Sequence, residues 1–245
     1  MMRMEGEKVR VGIYSLSSCE GCLVQLLNLE DVLLEIFGNI KIVSCRLLGV
    51  EGVRKADVAI IEGAVMSKKE EERLKEIRLN SEILVAFGDC ACHGGRFIVK
   101  DFGLEEAYVK VPRIGKYIAY PLDKFVKVDY YVYGCPVDKE EVFSLFKDII
   151  LGREHRPKPY NVCAECVLRE NLCLLDFSVP CLGPITRGGC GAVCPSSGRE
   201  CIGCRGLAED ANINSLIRMM KEKGIKIPKY LQILQGAYKY EDTKS

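Results

Sequence analysis

Thiols dominate the chemistry open to this chain: 14 cysteines occur among its 245 residues. Eight of them run as Cys163-x2-Cys166-x6-Cys173-x7-Cys181 and Cys190-x3-Cys194-x6-Cys201-x2-Cys204. Four more, Cys19, Cys22, Cys90 and Cys135, are spread through the first half beside Gly or Pro. A thiolate is a soft ligand, and sets of four suit either tetrahedral zinc or an iron–sulfur cluster. Three such sets in one chain point to a row of redox centres and to electron transfer. Chemistry on a bound organic substrate is the weaker reading.

The elements that must position these thiols can be read from hydrophobic pattern. Val9–Tyr14, Lys41–Cys45, Asp57–Ile61, Ile83–Phe87 and Tyr130–Tyr133 are short apolar runs of the kind buried parallel strands use. Cys22–Phe37 carries leucines at helical spacing and stops at Gly38. Ser67–Arg78 predicts an exposed, charged helix opening at Ser67. Asp138–Leu151 predicts another, with Val142, Leu145, Phe146 and Ile149 on one face. Alternating strands and helices imply an α/β fold with a parallel, doubly wound sheet. Cys19 and Cys22 (SCEGC), Cys90 (GDCACHGG) and Cys135 (YGCP) each follow a strand. In an open parallel sheet those carboxyl ends share one edge, where ligands collect, so thiols far apart in sequence can converge there. Gly21, Gly88, Gly94, Gly95 and Gly134 permit tight turns and a close backbone approach to an inorganic core.

Gly152–Tyr160 (GREHRPKPY) is polar and Pro-rich and reads as a linker. Residues 161–206 are rich in Cys, Gly and Pro with little periodicity, so metal ligation is expected to hold what a small core cannot. Glu209–Lys223 predicts a closing helix, and Glu241–Ser245 a frayed tail.

Other chemistries fit less well. A lone CxxC after a strand can be a thioredoxin-like redox pair, but Cys90 and Cys135 at matching strand ends argue against that. Hyperthermophiles can carry intracellular disulfides. The absence of Trp and the abundance of Lys, Glu and Arg lean toward a thermophile, yet CxxC spacing suits metal better than disulfides. Spacing alone does not settle the eight-cysteine block, which admits two zinc sites as well as the favoured two clusters. Zinc is redox-inert, however, and thiols at a sheet's ligand-binding edge favour iron–sulfur chemistry. Cys45 reads as a small buried hydrophobe. Cys92 stands two residues from Cys90 and competes with it; Cys90 is preferred as the first after the strand. His93 could carry protons or donate to a ligand, or be a plain loop histidine; Glu20 could relay protons or be solvated; Glu62 could approach the first set or merely face water; and His155 is expected to be solvated. No phosphate loop, strand-linked G-x-G-x-x-G or Ser–His–acid arrangement appears.

Composition agrees. Hydrophobic residues at 48% and charged ones at 28% provide a real core. A net charge of +1 gives no reason to expect nucleic acid or an anionic membrane as partner. No apolar run reaches the roughly 18–20 residues that span a bilayer. Met1–Arg10 is charged, with neither an apolar signal region nor an Arg-Arg export pair, so a cytoplasmic location is expected.

SCEGC, GDCACHGG and YGCP, followed by CLGPITRGGCGAVCP and CIGCRG, resemble the small subunit of [NiFe]-hydrogenases. The likeness is closest to the cytoplasmic archaeal type, the delta subunit of sulfhydrogenase, and extends over about Val9 to Leu207. The C-terminal block is its specific part, because the N-terminal motifs are shared with a subunit of respiratory complex I. The resemblance implies a flavodoxin-like domain over residues 9–151 and an irregular, Cys-rich iron–sulfur domain over 160–235. It implies three [4Fe–4S] clusters: a proximal one on Cys19, Cys22, Cys90 and Cys135, a medial one on Cys190, Cys194, Cys201 and Cys204, and a distal one on Cys163, Cys166, Cys173 and Cys181. Periplasmic relatives place a histidine where this chain has Cys163, and a proline with a three-iron centre where it has Cys194. All-cysteine ligation is therefore expected. The implied partners are a Ni–Fe large (alpha) subunit holding the catalytic site, a flavin and NAD(P)-binding (gamma) subunit and an iron–sulfur (beta) subunit. Electrons would serve H2 oxidation or evolution, with polysulfide reduction a further activity of the family. Two other readings stay open: a quinone- or ferredoxin-linked redox subunit, and a zinc-stabilised interaction protein.

Overall fold

Five parallel strands carry the first half of the chain: β1 (Val9–Ser15), β2 (Ile40–Cys45), β3 (Ala56–Glu62), β4 (Ser81–Phe87) and β5 (Tyr130–Val132). The computed structural model describes residues 8–29, 38–95, 119–228 and 231. Strand order is β2-β1-β3-β4-β5, all parallel. This is the flavodoxin-like order, whose direction reverses between β1 and β3. The strands read as unbroken apolar runs because both sheet faces are covered. Val11, Val58, Ile60, Val85 and Phe87 pack one face, with Val142, Leu145 and Phe146 from the helix above them. Ala59, Ile61, Leu84 and Ala86 pack the other, with Leu74 and Ile77.

Among the described residues four helices accompany the sheet, and two of them open on a side-chain cap. Along the chain they are α1 (Gly21–Leu27), α2 (Lys68–Leu79), α3 (Asp89–His93) and α4 (Lys139–Ile150). Ser67 accepts the Glu70 amide, while the Glu70 carboxylate reaches back to the Met66 amide at 2.9 Å, a capping box for α2. Asp138 accepts the amides of Glu140 and Glu141 and starts α4. At the far end of α2, Arg78 donates to Asp129 at 2.5 Å, and the same carboxylate accepts the Leu84 amide at 2.9 Å. This ties α2, β4 and the entry to β5 together. The helix expected over Cys22–Phe37 is seen as α1; residues 30–37 lie outside the described residues.

Contacts divide the chain into two units, residues 1–95 with 118–157, and residues 96–117 with 158–245. The segment 152–160 has no regular structure. His155 is not solvated as its polar surroundings in the sequence suggest. It is 6% exposed, its Nδ1 lies 2.9 Å from an Asp148 oxygen, and its ring meets Tyr130 edge-on. The segment leaving α4 folds back over that helix and buries the ring.

In the second unit, described residues form short elements: α5 (Val162–Leu168), α6 (Val193–Ser196) and α7 (Ile213–Glu222), with 3₁₀ turns at Leu174–Phe177 and Gly183–Ile185. Asn212 caps α7 through the Ser215 amide at 2.8 Å. Leu216 and Met220 on α7 pack with Val162, Leu175, Leu182 and Ile185 into one apolar cluster, which also takes in Cys181 and Cys201.

Candidate metal centres

The first four thiols all come from the carboxyl edge of the sheet. Cys19 lies in the turn after β1 and is exposed; Cys22 sits in the first turn of α1 and is buried. Glu20 between them adopts a left-handed backbone with φ 60° and pairs with Arg46. It does not cap α1; Glu62 does. This carboxylate closes β3, is 2% exposed, and accepts the amides of Cys22 at 3.2 Å and Leu23 at 3.0 Å. Burial raises its pKa, while the hydrogen bonds from Leu23 and Cys22 pull it down; the net shift is upward. A glutamate ending an otherwise apolar strand is the signal that could have revealed this cap.

Cys90 lies in α3, directly after β4, and Cys135 follows β5. Backbone bonds join their two loops: Gly88 N–H donates to the Val132 carbonyl and Asp89 N–H to that of Gly134, both at 2.8 Å. Gly88 has φ +87°, and a Cβ there would stand 2.4 Å from the Cys22 sulfur. Only glycine lets the β4 exit pass this close to the thiol. The four sulfurs act on one another electrostatically. Burial pushes Cys22 up, and the charges of Glu62, Cys135 and Cys90 add to that. Cys90 is pushed up to about 12 by burial, then by Asp89, Cys135 and Cys19. Thiols pushed up as Cys22 and Cys90 are stay protonated until a cation neutralises them.

Cys92 turns the other way. It is 4% exposed, and its sulfur lies 3.5 Å from the carbonyls of Ala86 and Val132 within the sheet core. Cys45 is likewise buried in the core. His93 stacks on Tyr133 with ring centroids 5.4 Å apart.

In the second unit, Cys163 and Cys166 lie on one turn of α5. Burial, then the charges of Cys181, Cys166 and Cys173, push Cys163 up to about 12. A Cβ on Gly183 would stand 3.2 Å from the Cys163 sulfur and 3.6 Å from that of Cys181, so bare backbone separates the two. Asn171 donates to the Cys166 sulfur at 3.6 Å and to the Ser196 hydroxyl at 2.9 Å, joining α5 to α6, which carries Cys194. Burial raises Cys190, and the Ala192 backbone lowers it; Glu165 and Arg205 then act on it in opposite directions. Burial pushes Cys201 up to about 12, with Cys181 and Cys204 among the charges adding to it.

Among the described residues, no three His, Cys, Asp or Glu side chains converge on a point where one metal ion could sit. The residues nevertheless fit iron–sulfur cubes in two ways. The donors are thiols within electrostatic reach of one another, Cys19, Cys22, Cys90 and Cys135 in one set and Cys163, Cys166, Cys173 and Cys181 in another, and bare glycine backbone flanks the sulfurs of Cys22, Cys163 and Cys181. Among the described residues, no helix is long and apolar enough to cross a membrane.

Comparison with known proteins agrees with this arrangement. Residues 19–149 match the family described as NADH ubiquinone oxidoreductase, 20 Kd subunit. The sulfhydrogenase 2 subunit delta of Pyrococcus furiosus is 40% identical over 222 residues, covering 87% of this chain and 93% of that protein. A vhu subunit of the F420-non-reducing hydrogenase of Methanocaldococcus jannaschii is 30% identical over 272 residues, covering 92% and 93%. Among solved structures, a chain of an NAD+-reducing [NiFe]-hydrogenase in the H2-reduced state superposes with a TM-score of 0.53 at 27% identity, covering 63% of this chain and 97% of that one. The chain therefore belongs to the NADH ubiquinone oxidoreductase 20 kDa subunit family, and within it to the small iron–sulfur subunits of the sulfhydrogenase and hydrogenase delta type.

Proposed function

We propose that this chain is the electron-transfer small subunit of a cytoplasmic [NiFe]-hydrogenase. In this reading it relays electrons between a Ni–Fe site on a partner large subunit and flavin- and NAD(P)-linked partner subunits. The observation that carries it is that Cys19, Cys22, Cys90 and Cys135 follow three strand exits at one sheet edge, within electrostatic reach of one another. A structural staple would not need a sheet's ligand-binding edge. The hydrogenase relatives, which match nearly their whole length, support the same assignment.

Three [4Fe–4S] clusters would supply one-electron storage at low potential. Cys19, Cys22, Cys90 and Cys135 would hold the first; Cys190, Cys194, Cys201 and Cys204 the medial; and Cys163, Cys166, Cys173 and Cys181 the distal. Residues 9–151 and 160–235 are the corresponding domains. A cube takes one thiolate at each iron, so its ligands face one another without meeting at a single ion, as zinc's must. Glu62 holds the amide end of α1 and so fixes Cys22. The Gly88 turn lets Cys22 approach without a side chain between. Apolar neighbours in the cluster containing Cys181 and Cys201 exclude water.

The test is anaerobic purification of the complex. About twelve iron atoms per chain, broad visible absorbance and a co-purifying nickel-containing subunit are expected. Colourless protein with one to three zinc atoms would overturn the proposal. An iron-loaded complex with no nickel partner would turn it toward a quinone- or ferredoxin-linked redox complex.

A further inference from the structure

Arg205 is the largest wholly buried side chain among the described residues, 1% exposed. Its Nε donates to the Gly188 carbonyl at 2.8 Å. Gly189 makes the room: with φ +113°, a Cβ there would stand 2.4 Å from the guanidinium Nη2. The guanidinium thus lies against the two residues that lead into Cys190, and its own backbone follows directly on Cys204. Across the same turn stands Glu165, 7% exposed, which accepts the Gly189 amide at 2.9 Å. Its Oε2 lies 4.0 Å from the Cys190 sulfur. Tyr160 donates to this carboxylate at 3.5 Å, and Lys158 lies 3.8 Å from it.

Burying a charge costs several kcal/mol even after relaxation, and arginine does not shed its proton inside proteins. Besides its hydrogen bonding, the guanidinium brings a fixed positive charge to the turn that leads into Cys190. Glu165 brings a carboxylate to the same turn, with its Oε2 4.0 Å from the Cys190 sulfur, so charges of opposite sign flank that residue.

We propose that Arg205 and Glu165 are opposed fixed charges that set the reduction potential of the iron–sulfur centre on Cys190, Cys194, Cys201 and Cys204. The proposal rests on the reading above that these thiols hold such a centre. Gaining an electron makes the centre more negative. The guanidinium therefore stabilises the reduced form and raises the potential, while the carboxylate lowers it. Both are positioning residues; neither is a ligand.

The test is an EPR-monitored redox titration of the purified complex bearing Arg205→Gln, Arg205→Lys or Glu165→Gln. Arg205→Gln is expected to move one centre to lower potential, and Glu165→Gln to move the same centre higher. Arg205→Lys should stay near the parent, with the remaining centres unmoved in all three. A purely structural role for Arg205 would leave the potentials in place or lose the centre in both arginine variants alike. Should Arg205→Gln fail to assemble, Glu165→Gln decides: an upward shift supports the proposal and none overturns it. Shifts of one sign in both charge-removing variants overturn it as well. An iron-free parent complex would instead bring down the functional reading itself, a result that iron analysis separates from loaded centres that do not shift.

Discussion

The backbone amide of Cys201 donates to the sulfur of Cys181 across 3.4 Å. One residue belongs to the 190–204 set and the other to the 163–181 set, so the two sets touch through a hydrogen bond. The contact would give a short path between the two centres proposed there, and it also puts the division of the eight thiols at risk. Cys163→Ala and Cys181→Ala should abolish one and the same EPR signal, and Cys190→Ala and Cys201→Ala a different one. If Cys181→Ala and Cys201→Ala remove the same signal while Cys163→Ala and Cys190→Ala spare it, the division is wrong.

Cys90 and Cys92 stand two residues apart and face opposite ways, which separates their roles. Cys92→Ala is expected to leave iron at about twelve per chain, whereas Cys90→Ala should lose up to about four. Losing its contacts in the sheet core, Cys92→Ala should still cost about 1 kcal/mol of stability. Colorimetric iron determination on both variants decides. Iron lost from Cys92→Ala and kept in Cys90→Ala would exchange their assignments.

Gly88→Ala tests the turn at the end of β4. The added methyl meets the Cys22 sulfur, and a φ of +87° strains any residue with a Cβ. A destabilisation of about 1–3 kcal/mol is expected, along with loss of the first set's signal and retention of the other two. Unchanged spectra and unfolding midpoint would mean that the turn has room for a side chain.

Asp129 links pH to stability on the acid side. Burial raises its carboxyl, but the Leu84 amide, Arg78 and Lys127 outweigh that and hold it below its ordinary value. Its contribution is therefore present above the unfolded carboxylate value of about 3.9 and is lost as pH falls through the lower folded value. Asp129→Asn should cost about 1–3 kcal/mol near neutrality. The gap from the parent should close in acid, as followed by urea unfolding at several pH values. A gap that is constant down to the most acid pH would exclude the carboxylate charge as its source.

The iron-free chain should weaken in alkali. Cys90, Cys163 and Cys201 are raised to about 12 in the folded chain against an ordinary thiol value of 9.0. Their contribution is whole below the unfolded value and drains away as pH rises toward the folded one, because only the unfolded chain ionises freely in that window. Thermal unfolding of iron-free protein across it should show a falling midpoint. Loaded protein should lack that fall, its thiols already being thiolates. A flat profile for the iron-free chain would contradict the burial assigned to these three residues.

The sheet is legible in the sequence because parallel strands buried on both faces leave unbroken apolar runs. Ala56–Glu62 and Ser81–Phe87 extend the predicted Asp57–Ile61 and Ile83–Phe87 by only a residue or two at their ends. Ser67 and Asp138 announce their helices because a cap acts on its own neighbours. Effects that travel through space are not legible in this way. His155 looks solvated beside charged residues, yet Asp148 and Tyr130 bury it. Glu62 ends one strand but serves the helix that follows its neighbour in the sheet. Cys92 cannot be told from Cys90 until α3 points one sulfur into the core and leaves the other near Cys135. The helix Val162–Leu168 is hidden in the sequence because its thiols, spaced as ligands, mask the apolar period.

The first thiol set draws on residues at both ends of the first unit's sequence, joined only when β1, β4 and β5 take their places in one sheet, while the other eight fall within one short stretch. Under the proposed assignment maturation would be staged: the 163–204 stretch would bring its eight thiols together locally, but the first site would exist only once the sheet is complete. Iron at Cys19 and Cys135 would then be a certificate that the sheet has formed.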